Sequence, residues 1–233
     1  MADQSSDLPR GQFELDHHPR YGLWQYAHHY RKLPIPLHVE ITGDLQNPLV
    51  LDESLMRRLP RVEQTNDIHC VTTWSWCGLT WSGVRLKDLY EQIVVPEGKP
   101  TAEIRYVILR SLDNYRTFSL LEDALADDVL LADHLNHAAV DWDHGAPLRF
   151  VAPAHYAFKS AKHVCGIEFR GDLKGYHSPA LHWTEHPRGR VAFEERGVLL
   201  PGWLYRYLFH PAVRTVIWTF CRAAKKTQRL KTR

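Results

Sequence analysis

The chain is sparing with sulfur, carrying four cysteines and two methionines among 233 residues. Cys70, Cys77, Cys165 and Cys221 do not space out as a disulfide framework. The interval from Cys70 to Cys77 is also too long for the paired knuckle of a structural zinc site. Histidine is plentiful, at 15, but no Cys-x-x-Cys-His motif is present, which excludes covalently attached haem. No apolar run approaches the roughly 20 residues needed to cross a bilayer. Residues 1–20 are polar, without a charged-then-apolar leader or a pair of adjacent arginines. A cytoplasmic protein with reduced thiols is therefore expected. Internal repeats and low-complexity stretches are lacking too, which leaves an ordinary folded domain. The last absence is local: no Asp or Glu follows Gly197, while Arg206, Arg214, Arg222, Lys225, Lys226, Arg229, Lys231 and Arg233 do. The net charge of +2 thus conceals an acidic body and a basic tail, a split that points the tail at an anionic surface.

Charged residues make up 24% and apolar residues 44%, enough for one sizeable core. Three segments are expected: an arm over 1–35 lying on the domain, a body over 36–196, and a basic amphipathic helical tail over 197–233. Residues 37–44 alternate apolar and polar and predict a strand with one buried face. Asp52 can cap a short helix through Leu55, Met56 and Leu59. Residues 62–71 predict a strand that delivers Cys70 near its end. Trp81 to Leu86 reads as a loop opening a helix, with Ser82 as its cap. Further strands are expected at 103–111, 128–134, 148–152 and 163–170, with a short helix at 120–126. Strands and helices mix without βαβ alternation, so the fold class is α+β. After Pro211, Val213, Val216, Ile217 and Phe220 fall on one helical face. That helix could rest on an anionic membrane or dock on its own domain, and the sequence leaves both open.

Three stretches carry chemistry. The first is Cys70-Val71-Thr72-Thr73-Trp74-Ser75. Taken alone, Cys70 is as well read as a small buried hydrophobe as a ligand. The second is Ser111-Leu112-Asp113-Asn114-Tyr115-Arg116, polar residues leaving a strand. The third runs from His144-Gly145-Ala146-Pro147-Leu148-Arg149 to Tyr156-Ala157-Phe158-Lys159-Ser160-Ala161-Lys162. It sets an arginine and two lysines around a turn, a combination suited to phosphate: Arg offers a planar fork, Lys a point charge, and turn amides a cradle. A solvated basic loop is the bland alternative. His69 is read as a strand side chain rather than a second ligand. Trp74, Trp76 and Trp81 are read as pocket walls or core, and Asp67 as a loop-orienting carboxylate.

Together these stretches resemble the molybdopterin-binding domain of the sulfite-oxidase superfamily, particularly its bacterial single-domain and methionine-sulfoxide-reductase-like members. That family carries Cys-Val-x-x-Trp-Ser, then Trp-x-Gly-Val, here Trp81-Ser82-Gly83-Val84. It also has a Gly-Ala-Pro-Leu-Arg strand entry, here Gly145 to Arg149, and a Tyr-x-x-Lys-x-x-Lys turn, here Tyr156, Lys159 and Lys162. The resemblance implies a mixed-sheet sulfite-oxidase-type fold and a molybdenum–molybdopterin cofactor. Cys70 would ligate the metal, a soft thiolate beside pterin sulfurs. Arg149, Lys159, Ser160, Ala161 and Lys162 would hold the cofactor phosphate. His144 and Ser111 would contact the cofactor, and His17, His18 and Arg20 would pack on the pterin. Tyr115, with Arg116 beside it, would position the substrate.

The implied activity is oxygen-atom transfer on a small sulfur- or nitrogen-oxo substrate. Electrons would pass to or from a separate carrier, a membrane-bound one reached through 201–233 being one candidate, and localisation at the inner membrane face would follow. Nucleic acid is not among the expected partners. Sulfite oxidases proper have an arginine shortly after the ligand cysteine. None follows Cys70 before Arg85, which argues against sulfite. Members often carry a glycine in the loop before Gly145, where this chain has Asn136-His137-Ala138-Ala139. The alternative reading is a non-catalytic membrane or binding module that keeps the fold.

Overall fold

A computed structural model describes residues 8–15, 20–29, 34–180 and 184–231. In chain order come β1 (Phe13–Glu14), a single 3-10 turn (Trp24–Tyr26), β2 (Val39–Gly43), β3 (Leu49–Leu51), α1 (Glu53–Arg58), β4 (Arg61–His69) and β5 (Trp74–Arg85). Next are α2 (Leu86–Leu89), continued by a π-helical stretch (Tyr90–Gly98), then β6 (Tyr106–Ser111), β7 (Arg116–Leu120) and α3 (Leu121–Ala124). Finally come β8 (Leu130–Leu135), β9 (Ala138–Ala139), β10 (Arg149–Val151), β11 (Val164–Arg170), α4 (Gly202–Phe209) and α5 (Ala212–Lys231). This is the expected α+β mixture.

The strands form two sheets. One runs β3-β2-β11-β6-β7, with β2 and β11 parallel and the remaining pairs antiparallel. The other runs β1-β5-β8-β10, with β4 beside β5 and β9 beside β8. The alternation of β2 turns Val39 and Ile41 inward, where they meet Val107, Leu109, Ile167 and Phe169 from their own sheet and Val84, Leu131 and Phe150 from the other. The second sheet is apolar on both faces. In β8, Leu131 joins that core while its neighbours Leu130 and Ala132 join a second cluster with Ile68, Leu79, Trp81 and Val151. A period of two accounts for the split. The predicted cap holds: the Asp52 carboxylate accepts from the Leu55 amide at 2.8 Å.

One expectation fails. Residues 81–86 do not form a loop with Ser82 as a helix cap. β5 continues to Arg85 and the helix starts at Leu86 without a side-chain cap. The reason is tertiary: over Trp81–Val84 β5 is flanked by β4 on one side and β8 on the other, and ladder hydrogen bonds override the local turn signal. Gly83 has its own physical basis, since a Cβ there would overlap the Leu131 carbonyl where the β5–β8 register shifts. The loop before Gly145 also gains an explanation. Asn136 and His137 take φ of 48° and 63° in the tight β8–β9 turn, a conformation that glycine adopts most cheaply.

The entry to β11 fixes a buried histidine. The His163 ring stacks on Trp142 at 3.9 Å, its Nδ1 lies 2.8 Å from the Ala146 carbonyl oxygen, and its backbone amide donates to Gly145. Burial holds its pKa down at about 3, against 6.5 for a free ring. The folded state therefore keeps the ring neutral while the unfolded chain takes up a proton as pH falls below 6.5, so stability declines between pH 6.5 and about 3. Urea midpoints at pH 7 and pH 5 should fall more for the wild type than for His163→Gln. Equal shifts in both would remove His163 from the acid response.

Candidate functional site

Cys70 occupies the tip of the β4–β5 hairpin. Its amide donates to the Trp74 carbonyl at 2.8 Å, and the Thr73 amide returns a bond to the Cys70 carbonyl at 3.1 Å. Thr73 closes this turn with φ of 83°, an unusual state for a β-branched residue that needs outside support. Support comes from three directions. From the arm, the Gln12 side-chain amide donates to the Cys70 carbonyl at 3.0 Å. From beyond β11, fully buried Arg196 donates to the Val71 carbonyl at 2.7 Å and the Arg10 carbonyl at 3.2 Å. From the helix pair, His210 Nδ1 lies 3.0 Å from the Thr73 hydroxyl.

The Cys70 thiol is buried, with the Thr72 hydroxyl at 3.1 Å, and that hydroxyl also lies 3.0 Å from the Tyr21 phenol. Burial pushes the thiol pKa up, opposed by the Thr72 hydrogen bonds and by the positive charges of Arg196 and Lys162. A ligating thiolate would thus depend on the charge of a bound metal for its deprotonation. Among the described residues no group of three or more His, Cys, Asp and Glu side chains converges on a metal-sized site. Cys70 would accordingly be a lone protein ligand, the remaining donors coming with the cofactor. His69 points elsewhere, its ring Nδ1 being 2.8 Å from the Ser75 hydroxyl across the hairpin. Asp67 orients a loop as expected, accepting from the Gly78 amide at 2.8 Å.

Cys70 lines a cavity of about 810 Å³, within the range of small-molecule and cofactor sites. Arg20, Tyr115, Arg149, Ser160 and Lys162 line the same cavity, as do Asp113 and His163. Arg149 enters β10 behind Gly145, whose φ of 126° excludes most side chains. Its guanidinium lies over the Trp81 ring at 5.0 Å and donates to the His144 carbonyl at 2.9 Å, and burial pulls its pKa down to about 10. The Lys162 ammonium donates to the Asp143 carbonyl at 2.8 Å and the Tyr21 carbonyl at 3.2 Å. Burial, with Arg149 and Arg20 nearby, pushes its pKa down to about 7. Arg20 anchors the arm by donating to the Ala27 and His29 carbonyls, with Asp143 at 3.6 Å.

Three cations therefore crowd one buried region. Arg149 Nε has no hydrogen-bond partner among the described residues, and the same holds for the Ser111 hydroxyl nearby in sequence to Asp113. Burial pushes the Asp113 carboxyl pKa up, so it is a poor counter-charge. Such an arrangement fits an anionic ligand with several acceptor oxygens. It fits a cofactor that carries a phosphate at one end and a thiolate-seeking metal at the other.

Other residues picked out in the sequence lie elsewhere. The buried Lys159 ammonium donates to the Phe118 carbonyl at 2.6 Å and sits over the Phe118 ring at 4.1 Å, outside the cavity lining, so the phosphate role expected of it is not what the geometry shows. The turn sends Ser160 and Lys162 to the cavity and Lys159 to the Phe118 carbonyl. Ala161 is buried in the core. The His144 ring packs near Trp76 and pairs with Asp141 at 2.7 Å. Arg116 begins β7 at the surface, outside the cavity lining. His17 and His18 lie outside the described residues. Sequence reasoning missed Tyr21, Arg196 and the apolar wall made by Phe209, Val216 and Phe220 from α4 and α5. Only the helical spacing of Val216 and Phe220 signalled any of these.

Comparison with known proteins agrees with this geometry. Residues 32–176 match the family model described as the oxidoreductase molybdopterin binding domain. An uncharacterized oxidoreductase, YuiH, of Bacillus subtilis is 37% identical over 152 residues, which cover 62% of this chain and 74% of the relative. The protein-methionine-sulfoxide reductase catalytic subunits MsrP of Campylobacter jejuni and Burkholderia mallei are 29% and 26% identical over 172 and 191 residues, or 66% and 70% of this chain. The matches span about half of those two relatives, 54% and 56% of their length. The sulfane dehydrogenase SoxCD of Paracoccus pantotrophus shares the fold, with a TM-score of 0.53 at 20% identity over 66% of this chain and 43% of that one. The buried thiol, the cationic pocket end and the match over 32–176 converge on one assignment: this chain belongs to the molybdopterin-binding oxidoreductases of the sulfite-oxidase superfamily, whose cofactor is molybdenum–molybdopterin.

Proposed function

We propose that the chain reduces a small neutral oxo substrate, a sulfoxide or an N-oxide, using electrons from a separate carrier. For a sulfoxide, two electrons and two protons enter, the S–O bond breaks, and a thioether and water leave. The single observation that carries this is the cavity holding Cys70 together with the Arg20–Arg149–Lys162 cluster. When bound, the molybdenum cofactor supplies two-electron oxygen-atom chemistry. The chain's own residues bind and orient it: Cys70 would ligate the metal, Arg149, Ser160 and Lys162 would hold the phosphate, and Arg20 would fix the arm against the pterin.

The choice of a neutral substrate rests on the remaining lining. No arginine follows Cys70 in sequence before Arg85, and Arg196, which lies near it in space, is occupied by the Val71 and Arg10 carbonyls. The rest of the wall includes Tyr21, Trp24, Phe209, Val216 and Phe220, surfaces that favour an apolar group over sulfite. Tyr115 stays protonated, burial raising its pKa, and its phenol donates to the Phe158 carbonyl at 2.5 Å. We assign it a positioning role at the cavity wall, while Arg116 at the surface is too remote from the lining to share that role. Two relatives bear the name methionine-sulfoxide reductase, which supports the sulfoxide arm of the proposal. All four cysteines are free, in keeping with a reducing compartment, and we place the protein in the cytoplasm on that ground.

Turnover of a panel of sulfoxides and N-oxides by molybdenum-replete protein, with an artificial electron donor, tests the substrate class. Faster oxidation of sulfite than reduction of any panel member would refute it. Cys70→Ala should lower turnover at least about a hundredfold, beyond the 10–100-fold typical of outer-shell changes, with its loss of the metal read by elemental analysis. Full activity in that variant would remove Cys70 as ligand. Arg149→Ala should weaken retention of the pterin roughly 10–100-fold through loss of a charge-assisted contact worth about 1.5–3 kcal/mol. Lys159→Met should retain the pterin at wild-type level, measured by fluorescence of the oxidised, released cofactor. Equal loss in the two variants would show that Lys159 does face the phosphate.

A further inference from the structure

The two C-terminal helices are used on one side only. Inward, α5 buries Val213, Phe220 and Ala223, and α4 buries Tyr205. The α5 side chains pack on the arm and on the hairpin that carries Cys70 and Trp74. Outward, the chain leaves an apolar surface that a water-facing helix does not need. Among the described residues, exposed large apolar side chains gather between Phe193 and Trp218. Leu199 is 73% exposed, Trp203 52%, Tyr207 73%, Leu208 51% and Trp218 59%. Trp203 and Tyr207 sit at i and i+4 of α4, on the face opposite buried Tyr205, and exposed Leu208 follows Tyr207 at the edge of that face. On α5, exposed Arg214 and Arg222 flank Trp218, with the Arg222 guanidinium 5.2 Å from the Trp218 ring centre. The sequence after Gly197 contains no acidic residue, and further lysines and arginines continue along α5.

We propose that the outward faces of α4 and α5, with the Val198–Leu200 segment before them, dock the protein on an anionic membrane surface. The chemistry matches that surface on three counts. Tryptophan and tyrosine favour the headgroup level, where a ring meets both apolar and polar surroundings. Leucines can enter the acyl boundary. The uninterrupted positive charge meets anionic headgroups without any carboxylate to repel them. Binding lies on the membrane and not through it, for no helix among the described residues is long and apolar enough to cross. A protein partner would also meet an apolar patch, but eight cations without one acid in 37 residues suit a uniformly anionic surface better than a mixed protein face.

Docking has a consequence for the site. Phe209, Val216 and Phe220, from the inner side of the same helices, line the cavity that holds Cys70. A membrane beneath α4 and α5 therefore lies about one helix diameter, roughly 10 Å, from the cavity wall. An electron donor resident in the bilayer would approach the site from this side.

The test uses full-length protein and co-sedimentation with phosphatidylcholine vesicles, with and without phosphatidylglycerol. It reads binding and is independent of molybdenum or turnover, so it stands or falls apart from the proposed reaction. Wild-type protein should partition at least about tenfold more onto the anionic vesicles, with the excess lost at high salt. The triple variant Trp203→Ser, Tyr207→Ser, Leu208→Ser, whose side chains are exposed, should keep its thermal midpoint and bind at least about tenfold more weakly. Arg214→Glu with Arg222→Glu should erase the anionic preference. Equal binding to both vesicle types, or wild-type binding by the triple variant, would overturn the proposal. So would a lipid-free dimer that the triple variant splits, because the patch would then be a contact between copies.

Discussion

Positive charge without enough negative charge around it is the constraint on which this molecule's central architecture depends. Arg20, Arg149 and Lys162 surround one buried region and are held there largely by backbone carbonyls, and burial lowers the proton affinity of Arg149 and Lys162. Lys162, at a pKa of about 7, is the clearest sign of that stress. Carbonyl oxygens of residues 21, 27, 29, 143 and 144 all turn toward these cations. The arm is thereby tied to the strand-entry loop through charge-assisted bonds. A phosphate held by these cations would add to the Asp143 carboxylate as a counter-charge, and stability would then depend on the cofactor. Binding site and fold are difficult to separate here: the same cations that would hold the cofactor phosphate also staple the arm to the body.

The second dependency runs through the Cys70 hairpin. A four-residue tip with Thr73 at positive φ does not hold itself. Gln12, Arg196 and His210 reach it from three separate parts of the chain, and Val213 and Ile217 pack against the thiol's neighbourhood. Convergence of this kind fixes the sulfur at the cavity wall, where it would meet a bound metal. It also explains why Arg196 is buried completely: a guanidinium has the reach and the planar donor set to grip two carbonyls at once.

The legible part of the sequence was whatever local chemistry decides. The period-two runs of β2 and β11, the Asp52 cap and the deflection of the chain at Gly145 are set by near neighbours. Cys70, Arg149 and the Lys159–Lys162 turn stood out because their residue types have few other uses together, and of these the fold brings Cys70, Arg149, Ser160 and Lys162 to one cavity. What stayed hidden depends on contacts far apart in the chain. β5 reads as a turn and a helix start until β4 and β8 are known to flank it. Lys159 and Lys162 look equivalent on paper, yet Lys162 lines the Cys70 cavity while the Lys159 ammonium is held at the Phe118 carbonyl. Arg196 carries no motif at all; its role exists only because folding brings residue 196 to residue 71.

The tail shows how the two faces of a helix can answer different demands. Its apolar spacing predicts burial, its charge predicts an anionic neighbour, and from sequence these compete. In three dimensions they do not. Val213, Phe220 and Ala223 satisfy the first on the inner side, leaving Arg214, Trp218 and Arg222 for the second. Because Phe209, Val216 and Phe220 on the inner side also wall the cavity, only the thickness of the helices separates it from whatever meets the outer face. The position of the tail makes the identity of what lies beneath it a question about catalysis as much as about location.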